Sequence, residues 1–140
     1  MSQKAQFALG CFWDPDEKFS KVNGVISTTA GYSGGTTLNP NYENIGDHSE
    51  TVLIEFDPNK ITYDELLKKF WQLHDSTKKF KTQYRSAIFY LDEGQKLMAE
   101  ESKMKFEDQH NVKVATSIEP AKNFYKAEEY HQKYLRKCRM

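Results

Sequence analysis

The chain has 140 residues, enough for one domain with a real core, and 20 Lys plus Arg balance 20 Asp plus Glu. A formal net charge of zero gives no global attraction to nucleic acid or to an anionic membrane. No apolar run is long enough to span a bilayer, and Met1-Ser2-Gln3-Lys4 leads into no signal-like apolar stretch, so a cytoplasmic, monomeric, single-domain protein over 1–140 is expected.

In chain order, Ala5 to Leu9 reads as a short strand. Gly10-Cys11-Phe12-Trp13-Asp14-Pro15-Asp16-Glu17 follows, with Asp14 as the expected N-cap, Pro15 in the first turn and Glu17 three residues after the cap. A cysteine at a strand-to-helix turn meets the positive end of the helix dipole, which favours a thiolate. Asp14, Asp16 and Glu17 oppose it as like charges, so the sign of any shift at Cys11 stays open. That helix carries Phe19 and Val22 and stops at Asn23-Gly24. Val25 to Ala30 reads as a second strand. Gly31-Tyr32-Ser33-Gly34-Gly35 then opens a long loop to about Asp47, and its aromatics and Asn39-Pro40 turn argue for order.

Glu50 to Phe56 is the clearest strand, with Glu50, Val52, Ile54 and Phe56 on one face by period-two alternation. Two readings of Glu50 stand side by side. Buried, its carboxyl would be pushed toward the protonated form and could give a proton; at the strand end, it would simply reach water. Thr62-Tyr63-Asp64-Glu65 is a capping box, Ile61 can staple to Leu66, and Leu66, Leu67, Phe70, Trp71 and His74 follow at core-face spacing. Tyr84 to Leu91 is a central strand, Asp92 to about His110 a charged surface helix, Val112 to Ile118 a strand ended by Glu119-Pro120, and Lys126 to Lys137 a last helix. The order β-α-β-β-α-β, then α-β-α, predicts an α+β two-layer α/β sandwich with a ferredoxin-like split β-α-β core and added C-terminal helices.

The cysteines, Cys11 and Cys138, form no C-x-x-C, and His48, His74, His110 and His131 lack ligand spacing, so no metal site and no bound cofactor are expected. A lone cysteine is by itself a small buried hydrophobe more often than a nucleophile, and Phe12 and Trp13 alone would be core.

The motifs Gly10-Cys11-Phe12-Trp13, Gly31-Tyr32-Ser33-Gly34-Gly35, Asn39-Pro40-Asn41-Tyr42, His48-Ser49-Glu50, Asp57-Pro58, His74-Asp75, Gln83-Tyr84-Arg85-Ser86 and Ala127-Glu128-Glu129-Tyr130-His131-Gln132 together resemble peptide methionine-S-sulfoxide reductase of class A, MsrA. They occur in the family's order and cover nearly the whole chain. The resemblance implies that Cys11 is the nucleophile attacking the sulfoxide sulfur and Glu50 the acid that protonates its oxygen. It makes Phe12 and Trp13 the walls of an S-methyl pocket, and Tyr42 and Tyr84 hydrogen-bond donors to the oxygen. It also implies methionine sulfoxide, free or in proteins, as substrate and thioredoxin or a small thiol as reductant. The chemistry is coherent, since protonating the oxygen while a thiolate attacks sulfur leaves methionine and a cysteine sulfenic acid.

Two departures from the family pattern stand out. The segment 76–82 is short and lacks the family's substrate-holding Asp, for which Asp75 is no substitute; this departure bears on the strength and breadth of substrate binding more than on the chemistry. The tail is the second: the family's resolving cysteines commonly lie in a glycine-containing extension, whereas here Cys138 stands close behind the expected last helix and is the candidate to resolve the sulfenic acid. Its Cα would have to come within about 7 Å of that of Cys11; otherwise external thiol reduces Cys11 directly. The competing reading is a module that binds sulfoxide peptides with little turnover.

Overall fold

The structure, a computed structural model, describes residues 2–10 and 13–128, with Trp13 and Asp14 described by their backbone alone. The first strand, β1, spans Gln3–Leu9, and helix α1 follows at Trp13–Ser20. Strands β2 (Val25–Ser33) and β3 (Ser49–Phe56) form an antiparallel pair, and α2 (Tyr63–Gln72) leads through a 3₁₀ turn at Thr82–Tyr84 into β4 (Ser86–Tyr90). Helix α3 (Glu93–His110) connects to β5 (Ser117–Pro120), and β6 is the two-residue strand Tyr125–Lys126.

The sheet runs β5-β4-β1-β3-β2-β6. Its central part, β4-β1-β3-β2, is antiparallel throughout, as the split β-α-β arrangement requires. Beyond it, α3 crosses over to a parallel β4–β5 pair, and β6 closes the other edge antiparallel to β2.

One face of the sheet carries the main core. Ala5, Phe7 and Leu9 of β1, Val52, Ile54 and Phe56 of β3 and Ile88 of β4 pack against Phe19 of α1, five residues of α2 from Tyr63 to Trp71, and Ala99 of α3. The α2 capping box forms as the residues dictate: Thr62 Oγ1 accepts from the Glu65 N–H at 3.1 Å, and Glu65 Oε1 accepts from the Thr62 N–H at 3.2 Å. Ile61 and Leu66 both join the core, as the staple predicts. The opposite face is smaller, with Ala8, Ala87 and Phe89 as its apolar part, and Ser33, Gln6 and Thr51 hydrogen-bonded beside them. Among the described residues, methionine occurs only at 98 and 104, and both lie exposed on α3.

Several boundaries differ from the sequence reading. Helix α1 begins at Trp13, so Asp14 lies within it and is not the N-cap. Strand β2 continues through Gly31, Tyr32 and Ser33, because Thr51, Glu50 and Ser49 of β3 pair with them and override turn-forming composition. Tyr84 belongs to the 3₁₀ turn and not to β4, His74 follows the α2 C-cap Leu73, and β5 sits five residues later than expected at its start. Lys126, the expected start of the last helix, is instead in β6; the rest of that segment, with Cys138, lies outside the described residues.

The long loop is ordered by its own polar groups. Asp47 accepts from the N–H and hydroxyl groups of both Thr36 and Thr37. The Thr36 hydroxyl and these two amides hold its carboxyl well below the usual carboxylate range. His48, fully buried, accepts from the Gly35 N–H at Nδ1, so its Nε2–H donates to the Thr37 carbonyl at 2.6 Å.

Candidate active site

The carboxyl ends of β1 and β2 and the amino ends of β3 and β4 lie at one edge of the sheet, because each neighbouring pair is antiparallel. Glu50 stands at that edge, directly opposite Tyr32 of β2, on the face that also carries Val52 and Ile54. It is 0% exposed, which settles the two readings of the sequence in favour of burial. Gln83, in the 3₁₀ turn, donates its Nε2–H to Glu50 Oε2 at 2.6 Å. This anchors the turn that bears Tyr84 against the carboxyl. Arg85 reinforces the anchor: its Nε donates to Ser49 Oγ at 2.7 Å, its guanidinium pairs with Glu119, and Ser49 Oγ donates to the Thr82 carbonyl at 2.7 Å. Glu119 is partly buried, which opposes ionisation, yet the Arg85 and Ser117 hydrogen bonds hold it below the ordinary carboxylate value.

Tyr42 is half-buried and reaches the same edge from the long loop. The Glu128 carboxylate ties it down, accepting from the Tyr42 N–H at 3.2 Å and from the Tyr32 hydroxyl at 2.8 Å. Tyr32, Ala30, Ala127, Tyr42 and Ile45 pack together around this point. Tyr84, also half-buried, has the Lys81 ammonium 5.2 Å from its ring centre.

Strand β1 pairs Phe7 with Val52, so Leu9 is level with Glu50 and the chain leaves the sheet beside it. Gly10 makes that exit at φ +96°, a backbone conformation glycine adopts without strain, and nothing lies within 4 Å of where a Cβ would stand. Cys11 and Phe12 lie outside the described residues, as does Cys138, and the Trp13 side chain is not described. Trp13 opens α1 three residues after Gly10, with the positive end of the helix dipole at this edge. Of the acidic residues expected to oppose a thiolate, Asp16 and Glu17 are buried, and Glu17 pairs with Lys21 at 3.1 Å.

The structure therefore brings Glu50, Tyr42 and Tyr84 to one edge. It adds Tyr32, Gln83 and Glu128, which residue-by-residue reading gave no role, although each lies in a motif that carried the resemblance. Asp75 is engaged locally, its Oδ1 accepting from the Thr77 N–H and hydroxyl. Among the described residues, no group of three or more His, Cys, Asp or Glu could hold a metal ion, and no helix is long and apolar enough to cross a membrane.

His74 ties the end of α2 to the start of β4. Its Nδ1–H donates to the Phe70 carbonyl at 2.8 Å and its Nε2 accepts from Ser86 Oγ at 2.7 Å, which in turn meets Thr116 Oγ1. Burial pushes its pKa below the ordinary 6.5, only partly offset by the Phe70 carbonyl and Asp75. A base whose folded pKa is depressed contributes stability that is complete above the unfolded value and is lost as pH falls through 6.5 toward the folded one. Denaturant unfolding at pH 7 and pH 5 should therefore show a loss of stability in the wild type that is smaller in His74→Gln. Equal losses in the two proteins would refute this assignment.

A family model for peptide methionine sulfoxide reductase matches residues 3–140. The MsrA of Methanothermobacter thermautotrophicus is 44% identical over 147 residues, covering 96% of this chain and 87% of that protein. The peptide methionine sulfoxide reductase of Fragaria ananassa is 46% identical over 144 residues, covering 95% and 75%. Among solved structures, reduced Mxr1 of Saccharomyces cerevisiae superposes with a TM-score of 0.92 at 30% identity, over 97% of this chain and 85% of that one. Mxr1 in complex with Trx2 gives 0.73 at 26% identity, over 95% and 84%. An α+β sheet with a buried carboxyl at its edge and these relatives define an oxidoreductase that acts on a sulfur group. More particularly, the chain belongs to the peptide methionine sulfoxide reductase family. It reduces methionine sulfoxide to methionine.

Proposed function

We propose that Cys11 attacks the sulfur of a methionine-S-sulfoxide while Glu50 delivers a proton to its oxygen. The observation that carries this reading is the fully buried Glu50 at the sheet edge where the chain runs on to Cys11. A carboxyl shut away from water is suited to hold a proton and give it to a developing hydroxyl. Tyr42 and Tyr84 donate hydrogen bonds to the same oxygen, and Phe12 and Trp13 wall an apolar slot for the methyl group. The electrons balance: the sulfoxide sulfur gains two, Cys11 loses two, the oxygen passes to Cys11 as a sulfenic acid, and methionine leaves.

The Cys138 thiol then attacks the sulfenic acid, forming a disulfide and releasing water. The described chain ends at Glu128, beside Tyr42, and ten further residues reach Cys138. A thioredoxin-type dithiol completes the cycle by thiol–disulfide exchange, a reading supported by the Trx2 complex of yeast Mxr1.

Reduced protein mixed with a methionine-S-sulfoxide peptide and no other reductant tests this directly. One equivalent of methionine with both thiols lost is the expected result. One equivalent with Cys138 still free and a trappable sulfenic acid would remove the resolving step. No methionine from folded protein would overturn the assignment of Cys11 and Glu50.

A further inference from the structure

We infer that Glu128 is a positioning residue for substrate binding: its carboxylate fixes Tyr42 and makes the geometry of the sulfoxide site depend on the last strand of the sheet. This rests on the reading that Tyr42 binds the sulfoxide oxygen.

Each carboxylate oxygen is used by a donor from a different element. Oε1 accepts from the Tyr32 hydroxyl, at the end of β2 and opposite Glu50; Oε2 accepts from the backbone N–H of Tyr42 itself. The two donors lie 96 and 86 residues away in the chain, so this strap is purely tertiary. Hydrogen bonds to an ionised acceptor are about twice as strong as neutral ones, and these lie in a partly buried cluster with Ala30, Ala127 and Ile45.

Glu128 reaches that point because β6 does. Tyr125 and Lys126 pair with Tyr32 and Gly31, and the Ala127 N–H donates to the Ala30 carbonyl at 2.9 Å. Gly31 makes the pairing possible: a Cβ there would stand 2.4 Å from Phe124 Cζ and 2.5 Å from the Tyr125 carbonyl oxygen. The rest of the long loop is staked at its two ends, through Asp47 and His48 onto residues 35–37. The Asn41–Asn44 turn is closed on itself. Glu128 thus ties the middle of that loop to the edge where Glu50 stands.

The test is single-turnover methionine formation by Glu128→Gln, Tyr42→Phe and the double variant, with Tyr32→Phe as a milder cut to the same strap. A glutamine at 128 offers one acceptor oxygen in place of two, so one tie is lost. Displacement by a fraction of an ångström should lower kcat/KM about ten-fold, since a misplacement of about 1 Å can cost a hundred-fold. In the Tyr42→Phe background the same change at 128 should cost nothing further, because there is no hydroxyl left to position. Tyr32→Phe should show a smaller loss of the same kind, and supports the strap even if Glu128→Gln folds poorly. Wild-type kcat/KM in both Glu128→Gln and Tyr32→Phe would overturn the inference. So would losses that simply multiply in the double variant, which mark a general structural role. A Tyr42→Phe protein with unchanged activity would instead remove the reading on which the inference rests, and that outcome is separately visible.

Discussion

Replacing Cys11 by serine is expected to abolish methionine formation while leaving the folded protein able to bind sulfoxide. A hydroxyl at that position is almost wholly protonated near neutral pH, and its oxygen cannot take the place of a sulfur that is oxidised by two electrons. No product equivalent to the sulfenic acid exists for serine. Where removal of an attacking residue has been measured in other enzymes, the loss is on the order of 10⁶ in kcat, below what a thiol-coupled assay would detect. The polar contacts proposed for Tyr42, Tyr84 and Glu50 do not depend on the thiol, so affinity for a sulfoxide peptide should change by little. Calorimetric titration of Cys11→Ser with the peptide, beside a turnover assay with excess dithiothreitol, separates the two quantities. Turnover by the variant would remove Cys11 from the chemistry.

Glu50→Gln is expected to cost about 10² to 10⁴ in the rate of the first turnover, the usual worth of a positioned general acid. The substitution keeps size and shape, and the new side-chain oxygen can still accept from Gln83 as Glu50 Oε2 does now. What is lost is the ability to surrender a proton. Because a fully buried carboxyl is costly to ionise, the neutral amide should unfold at a temperature equal to or above that of the wild type. Rapid-quench measurement of methionine together with a melting curve checks both halves. A slow, well-folded variant supports the acid; wild-type rate refutes it, and slowness with a collapsed melting temperature would place Glu50 in the architecture instead.

The elements most legible in the sequence are those whose signals are local. Helix α2 announces itself through Thr62, Glu65 and the Leu66-Leu67-Phe70-Trp71 spacing, and α3 through Asp92, whose side chain accepts from the Gln95 N–H. Period-two alternation placed Glu50 on the face of Val52 and Ile54 but could not say whether water reached it, since that depends on what Gln83 and Tyr32 bring from elsewhere. Strand β6 was invisible for the same reason: two residues show no period, and they become a strand only because Gly31 leaves room on β2. The Gly31-to-Gly35 stretch has turn composition, yet its first three residues are strand because β3 offers them partners. Glu128 carried no signal of its own, as both groups it accepts from lie more than eighty positions away.

The placement of methionine has a consequence for a catalyst that works where oxidants are present. Its described interior is built from phenylalanine, leucine, isoleucine, valine, tyrosine and tryptophan, while Met98 and Met104 stand 45% and 62% exposed on the outer helix. Sulfoxide formation turns an apolar side chain polar, which is ruinous in a core and nearly free on a surface. The damage this family repairs in other proteins would thus fall, in the described part of this one, on positions outside the packed core. Its described core thus holds none of the side chains that this family repairs.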